Sequence, residues 1–357
     1  MSETLEARAE LLKLSRLLCR DPDDLDYLEG TPSAELRLLR EQITDVLFDA
    51  HGPALTRLAS GSRLLPVALV ATLGEKVFGP VLSARVAGLL EPSRAVEVAS
   101  RMPVAFLADV AIELDPRRAS EVISRIPPEQ VAAITRELIA REEYVTMGRF
   151  VGHLGTDSII AAVSAIDDPQ LLPVASVLES KERLKDLIGV LPSERLDGII
   201  EAAAHADLWP EVLDLFGHLT LDQRRELVVR ASAWDDGRTL SSLIDAAREQ
   251  GMWAELLPLV SLLPAQGRER VAGLVSSLEL DDESVQQIAT AVVEHDLWEP
   301  VLIIADALQE ADLQRVAARL ADPVAAMDPT EREVIAERAR AAGLMDRLGP
   351  LSAALGG

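Results

Sequence analysis

The chain has 357 residues, 48% of them hydrophobic but only 3% aromatic, and it carries a formal charge of −24. A binding face for nucleic acid or anionic lipid must neutralise phosphate, so this charge excludes bulk affinity for either. A single cysteine, Cys19, excludes intramolecular disulfides and cysteine-based zinc sites.

The dominance of Leu, Ala, Glu and Arg favours helix throughout, and no alternating run of β-branched residues is long enough for a strand. The predicted fold class is therefore all-α. The start, from Met1 through Glu10, is charged and lacks an apolar leader, which with one free thiol sets the expected compartment as cytoplasmic. Residues 1–60 read as an N-terminal helical cap. An amphipathic helix carries Leu5, Leu12 and Leu18, a turn follows around Asp21-Pro22, and a second helix runs from Ser33 to Phe48. Cys19 closes the apolar run Leu17-Leu18-Cys19 and reads as a buried, inert thiol. The cluster Asp21, Asp23, Asp24, Asp26 and Glu29 has the composition of a calcium loop. Its sixth position is Asp26 instead of glycine and its twelfth is Pro32 instead of glutamate, so it reads as a helix start.

Residues 61–151 read as a superhelix of short helices. The most apolar stretch, Leu64 to Leu90, is broken by Pro66, Glu75, Lys76, Pro80 and Arg85, so no membrane span is expected. Leu90 to Pro103 recurs as Leu114 to Pro127, an offset of 24 with nine of fourteen positions identical. Glu91 or Asp115 stands where a helix cap is wanted, and Pro92 or Pro116 takes the first helical position. Ala119, Val122, Ile123 and Ile126 then form one apolar stripe, and Pro103 or Pro127 stops the helix after about three turns. The same repeat builds a ladder of Arg94, Arg101, Arg118 and Arg125. These are either solvated ion pairs with Glu97 and Glu121 or a cationic stripe for an acidic partner helix or peptide.

Leu114-Asp115-Pro116, Ala119, Glu121-Val122-Ile123 and Ile126-Pro127-Pro128-Glu129 make Leu64 to Val151 resemble the cytosolic N-terminal domain of MgtE-type magnesium transporters. That superhelix is also similar to the middle region of the flagellar rotor switch protein. Tyr144 with Met147-Gly148-Arg149 is faintly like the domain's end. The resemblance covers about a quarter of the chain and implies a right-handed superhelix with a regulatory or adaptor role. The family's regulatory modules and membrane pore have no counterpart in this sequence. Its acidic magnesium-sensing positions do not map residue by residue, so the resemblance implies no metal site.

Residues 152–195 form a helical bridge with a helix start at Asp168-Pro169. Residues 196–357 read as three-helix repeats of about 45 residues with tryptophan corners. The corners are Ala206-Asp207-Leu208-Trp209, Gln250-Gly251-Met252-Trp253 and His295-Asp296-Leu297-Trp298, spaced 44 and 45 residues apart, and Ala342-Gly343-Leu344-Met345 continues the series. Helix starts are marked by Asp235-Asp236, Asp281-Asp282 and Asp328-Pro329, and Thr220 with Gln223 has capping-box spacing. Such periods belong to helical solenoids, here short-helix repeats followed by three-helix units. Trp209, Trp253 and Trp298 are either packing residues or the lining of a binding groove.

Of the five histidines, none pairs with another at ligand spacing, and Glu201 with His205 reads as a surface contact. No nucleophile elbow or phosphate cradle is present. The expected function is a non-enzymatic scaffold or adaptor binding a protein partner, without cofactor. The alternative is a divalent-cation module responsive to Mg2+, drawn from the resemblance and from 59 acidic against 35 basic residues.

Overall fold

A computed structural model describes residues 2–206, 208–233, 238–277, 281–305 and 308–356. The described residues are helical, with no strand among them. The all-α expectation therefore holds. By compactness the chain divides into Met1–Leu191 and Pro192–Gly357. The segments 1–60 and 61–151 both lie in the first unit.

The first unit opens with α1 (Ser2–Leu18), a 3-10 helix (Pro22–Leu28), α2 (Ser33–Asp49) and α3 (Gly52–Ser62). α1 packs on α2, and Ala7, Leu11, Leu14, Leu25 and Leu36 form an apolar cluster drawn entirely from this N-terminal arm. The acidic run is indeed a helix start: the Asp21 side chain accepts from the Asp23 N–H and Pro22 stands in the first turn.

Cys19 departs from expectation. It is exposed, at φ 52°, immediately after α1. The physical reason is a Schellman ending, in which the Cys19 N–H donates to Arg16 and the Arg20 N–H to Ser15. The left-handed residue of that motif leaves the apolar run Leu17-Leu18-Cys19 for solvent.

Next come α4 (Val67–Leu73), a π turn over Gly74–Phe78 and α5 (Gly79–Ala87), which together make one 21-residue helix, Val67–Ala87. Pro80 lacks an N–H and would clash with the carbonyl four residues back in a regular helix. The π turn absorbs that mismatch, and Gly79 at φ 72° and ψ 177° supplies a conformation that other residues rarely adopt. By length and composition this helix could cross a membrane, and its most apolar window is only 17% buried. Glu75, Lys76 and Pro80, which the sequence marks as breaks, all lie within this helix.

α6 (Pro92–Ala99), α7 (Val104–Glu113), α8 (Ser120–Ile123), α9 (Pro128–Ala140), α10 (Tyr144–Phe150), α11 (Thr156–Val163), α12 (Asp168–Ser176) and α13 (Leu184–Val190) complete the unit. Helices pack on the next but one: α4 on α6, α6 on α8, α5 on α7, α7 on α9 and α9 on α11. Glu91 caps α6 as expected, accepting from the N–H groups of Ser93 and Arg94 at 3.1 and 3.0 Å.

The second copy of the repeat is shorter than expected. Pro116 to Ala119 form turns, and only the four residues of α8 are α-helical. In this turn the Arg118 carbonyl presses on Gly88, where a Cβ would come within 2.8 Å. Identity at nine positions thus gives the same corner but different helix lengths.

The second unit runs α14 (Ser193–Ala206), α15 (Trp209–Phe216), α16 (Leu221–Ala233), α17 (Arg238–Gln250), α18 (Trp253–Val260), α19 (Ala265–Ser277), α20 (Asp282–Glu294), α21 (Trp298–Ala305), α22 (Glu310–Ala325), α23 (Pro329–Ala341) and α24 (Pro350–Ala354). Helices opened by tryptophan stack in succession, α15 on α18 and α18 on α21, while α14 packs on α17 and α16 on α19.

The corners share one device. Leu208, Met252, Leu297 and Leu344 each donate an N–H to a carbonyl five residues back, on Ala203, Ala247, Val292 and Ala339. Gly251, Asp296 and Gly343 hold the left-handed position at φ 68°, 53° and 69°. Asp207 and Asp235-Asp236 lie outside the described residues. The other predicted starts appear: Asp281 accepts from Ser284, Asp328 from Thr330, and Thr220 and Gln223 exchange the two bonds of a capping box at 3.1 and 3.3 Å.

Candidate interaction site

The arginine ladder divides by environment. Arg94 donates to the carbonyls of Ser62 and Leu65, both at 2.6 Å, and so closes the end of α3. Arg101 stands 4.0 Å from Glu97 with both side chains exposed, and Arg125 pairs with Glu121 at 2.7 Å and touches Ser93. These two contacts are surface ion pairs of small energetic weight.

Arg118 differs from the other three. It meets Asp45 at 2.7 Å and Asp49 at 3.6 Å, both on α2, and its guanidinium lies 4.0 Å above the Phe48 ring. Arg117, absent from the sequence-predicted set, joins it with contacts of 3.3 Å each to Glu41 and Asp45. Asp115 braces both guanidiniums from below, 3.0 Å from Arg117 and 3.7 Å from Arg118. The hydrogen bond from Arg118 and the nearby charges hold the Asp45 carboxyl below its usual range. Two signals for this site were present in the sequence: the Arg117-Arg118 pair after Asp115-Pro116, and the four-residue spacing of Glu41, Asp45 and Asp49.

A buried ion network lies beside it. Glu10 is 1% exposed and is met by Lys13 at 2.9 Å and Arg40 at 3.1 Å. Burial works against the Glu10 charge, but Lys13, Arg40 and Arg37 outweigh it, so the carboxyl stays below its ordinary value. Arg40 continues to Glu179 at 2.9 Å, Lys181 reaches Glu6 at 3.0 Å, and Arg16 pairs with Glu143. The N-terminal arm is thus tied to residues 115–181 through charged side chains.

Trp209, Trp253 and Trp298 are interior: Trp209 and Trp253 are 3% exposed and Trp298 is 2%. Trp209 donates its indole N–H to Ser242 at 2.9 Å and Trp253 to Gln287 at 3.1 Å. Trp298 lines a small apolar cavity with Leu313, Leu320 and Leu348. Among the described residues no indole presents a face to solvent, and these three sit in successive corners of the unit.

Exposed apolar residues lie elsewhere. Leu64 is 88% exposed, Val46 69%, Val77 66% and Leu38 55%, with Leu39, Leu47, Leu58, Leu69, Phe78 and Val81 also open. Of this class the described residues of the second unit expose only Leu221, Val229 and Val334. Residues 38–81 therefore concentrate the exposed apolar surface, a feature that sequence pattern did not reveal because α4 and α5 look like core.

The His205 ring bonds the Glu201 backbone carbonyl, not its carboxylate, and burial lowers the affinity of His153 for a proton. Among the described residues, no group of three or more His, Cys, Asp or Glu side chains is placed to hold a metal ion. No protein-family model, no curated protein and no solved structure matches the chain.

Proposed function

We propose that the chain is a non-enzymatic helical-repeat scaffold that binds a protein partner through the apolar surface of residues 38–81. The observation that carries this reading is the concentration of open side chains on α2 and on the helix Val67–Ala87. A concentration of exposed apolar side chains on a folded chain marks a place where another surface docks. Covering a side chain such as Leu64 or Val77 is worth roughly 1.5–3 kcal/mol, so a handful supplies the core of an interface.

The next-but-one packing in residues 67–163 supports a superhelix, and the successive corners after residue 192 support three-helix repeats near 45 residues. In this reading each series is by itself a right-handed solenoid segment. The likeness of residues 64–151 to the magnesium transporter's cytosolic domain supports an adaptor role for that segment.

The test is affinity purification from the native cell with the full chain and with the double substitution Leu64→Glu, Val77→Glu. A reproducible partner retained by the wild type and lost by the variant is expected, at unchanged helical content. The same proteins on both, or none on either, contradicts the proposal.

A further inference from the structure

We propose that Arg117 and Arg118 form a docking seat for an acidic amphipathic helix of a protein partner, and that the chain's own α2 occupies this seat as a built-in competitor. The argument begins with what fills the seat. Glu41, Asp45 and Asp49 recur every four residues, so they share one face of α2, and all three meet the two guanidiniums within 2.7–3.6 Å. Phe48, on the same helix, lies under Arg118 at 4.0 Å. A ligand is thereby described: a helix with carboxylates at i, i+4 and i+8 and an aromatic ring one turn from the middle one.

The arm is built to be displaced. Its apolar cluster is drawn from the arm's own residues, so that cluster can leave with the arm intact. Its ties to residues 115–181 are ion pairs: those of Arg117 and Arg118 to α2 are partly exposed and weaken in salt, whereas the buried Arg40–Glu179 pair is the one that must break as the arm lifts. The seat is the more permanent half. Asp115 pairs with both arginines independently of the arm, and the turn that carries them is pressed against Gly88. Two arginines braced by one carboxylate keep a net positive charge after the arm leaves. On a chain of charge −24 such a spot selects acidic ligands by local contact, not by long-range attraction.

The seat's two arginines lie outside residues 38–81, although α2 belongs to both sites, and the variants below let the two readings fail separately. The probe is a fluorescent peptide of residues 33–50 titrated into the full chain at low salt. Reversing the arm's own charges, Asp45→Arg with Asp49→Arg, should free the seat and tighten peptide binding at least tenfold over wild type. Arg117→Glu with Arg118→Glu should abolish binding, and that variant should instead take up a peptide carrying the two Asp→Arg changes, which also certifies its fold. Leu64→Glu with Val77→Glu should leave the titration unchanged. In the wild type, saturating peptide should speed amide exchange across residues 5–49.

Equal affinity for wild type and the Asp45→Arg, Asp49→Arg chain, or binding indifferent to Arg117 and Arg118, overturns the proposal. So does unchanged exchange in the arm. A wild-type dimer that dissolves on Asp45→Arg, Asp49→Arg substitution would overturn the foreign partner in favour of arm exchange between two copies.

Discussion

Single residues carry the corners of the second unit. Gly251 and Asp296 occupy the same left-handed position at φ 68° and 53°, but only glycine enters it without steric cost. Asp296→Gly should therefore raise stability by about 0.5–1 kcal/mol, and Gly251→Ala should lower it by about 1 kcal/mol. Thermal melts of the two variants check this, and equal shifts of one sign would refute the shared geometry. Glu10 is the residue whose charge matters most in the arm. Its carboxyl titrates below its unfolded value, so its contribution is complete above the ordinary glutamate range of about 4.3. That contribution disappears as pH falls through the folded value, with Asp45 acting in the same direction. Glu10→Gln leaves Lys13 buried without its counter-charge and Arg40 with Glu179 alone, and should cost about 3–5 kcal/mol at neutral pH. A melt showing a loss below 1 kcal/mol would contradict the network's burial. These caps and corners were legible in the sequence because Schellman and capping-box signals are local. Cys19 was not, since a left-handed residue after a helix leaves no mark unless it is glycine or asparagine.

At the scale of elements, close backbone approach sets how short helices stack. A Cβ on Gly148 would come within 2.6 Å of the Val177 carbonyl, and one on Gly88 within 2.8 Å of that of Arg118. Neither carbonyl belongs to a flexible side chain, so Gly148→Ala should force the segment after α12 outward at a cost of about 1–3 kcal/mol. Denaturant unfolding that moves by less than 0.5 kcal/mol would show that the approach is looser. Element boundaries were readable where a proline or carboxylate opens a helix, as at Pro92 and Asp328. They were not readable where tertiary contact overrides pattern. Pro116 promised the helix that Pro92 begins, yet its copy turns for four residues while Arg117 and Arg118 reach α2. Pro80 promised a break, and a π turn with Gly79 kept the helix whole.

For the whole molecule, the division at residue 191 predicts that Pro192–Gly357 expressed alone is helical and melts cooperatively. A fragment lacking helical circular dichroism would contradict that division. The all-α class followed from composition, because helix formers without β-branched alternation leave one option. The candidate site followed only in part. Arg118 belonged to a visible ladder, whereas Arg117 acquires its meaning from Asp45 on a helix 72 residues earlier. Exposure is likewise a tertiary property, and apolar side chains on Val67–Ala87 read as core until the fold leaves them uncovered. The most direct measurement of the scaffold claim is hydrogen–deuterium exchange of the full chain with and without a purified partner. The account predicts slowed exchange concentrated in residues 38–81, whereas protection confined to residues 192–356, or none, would contradict it.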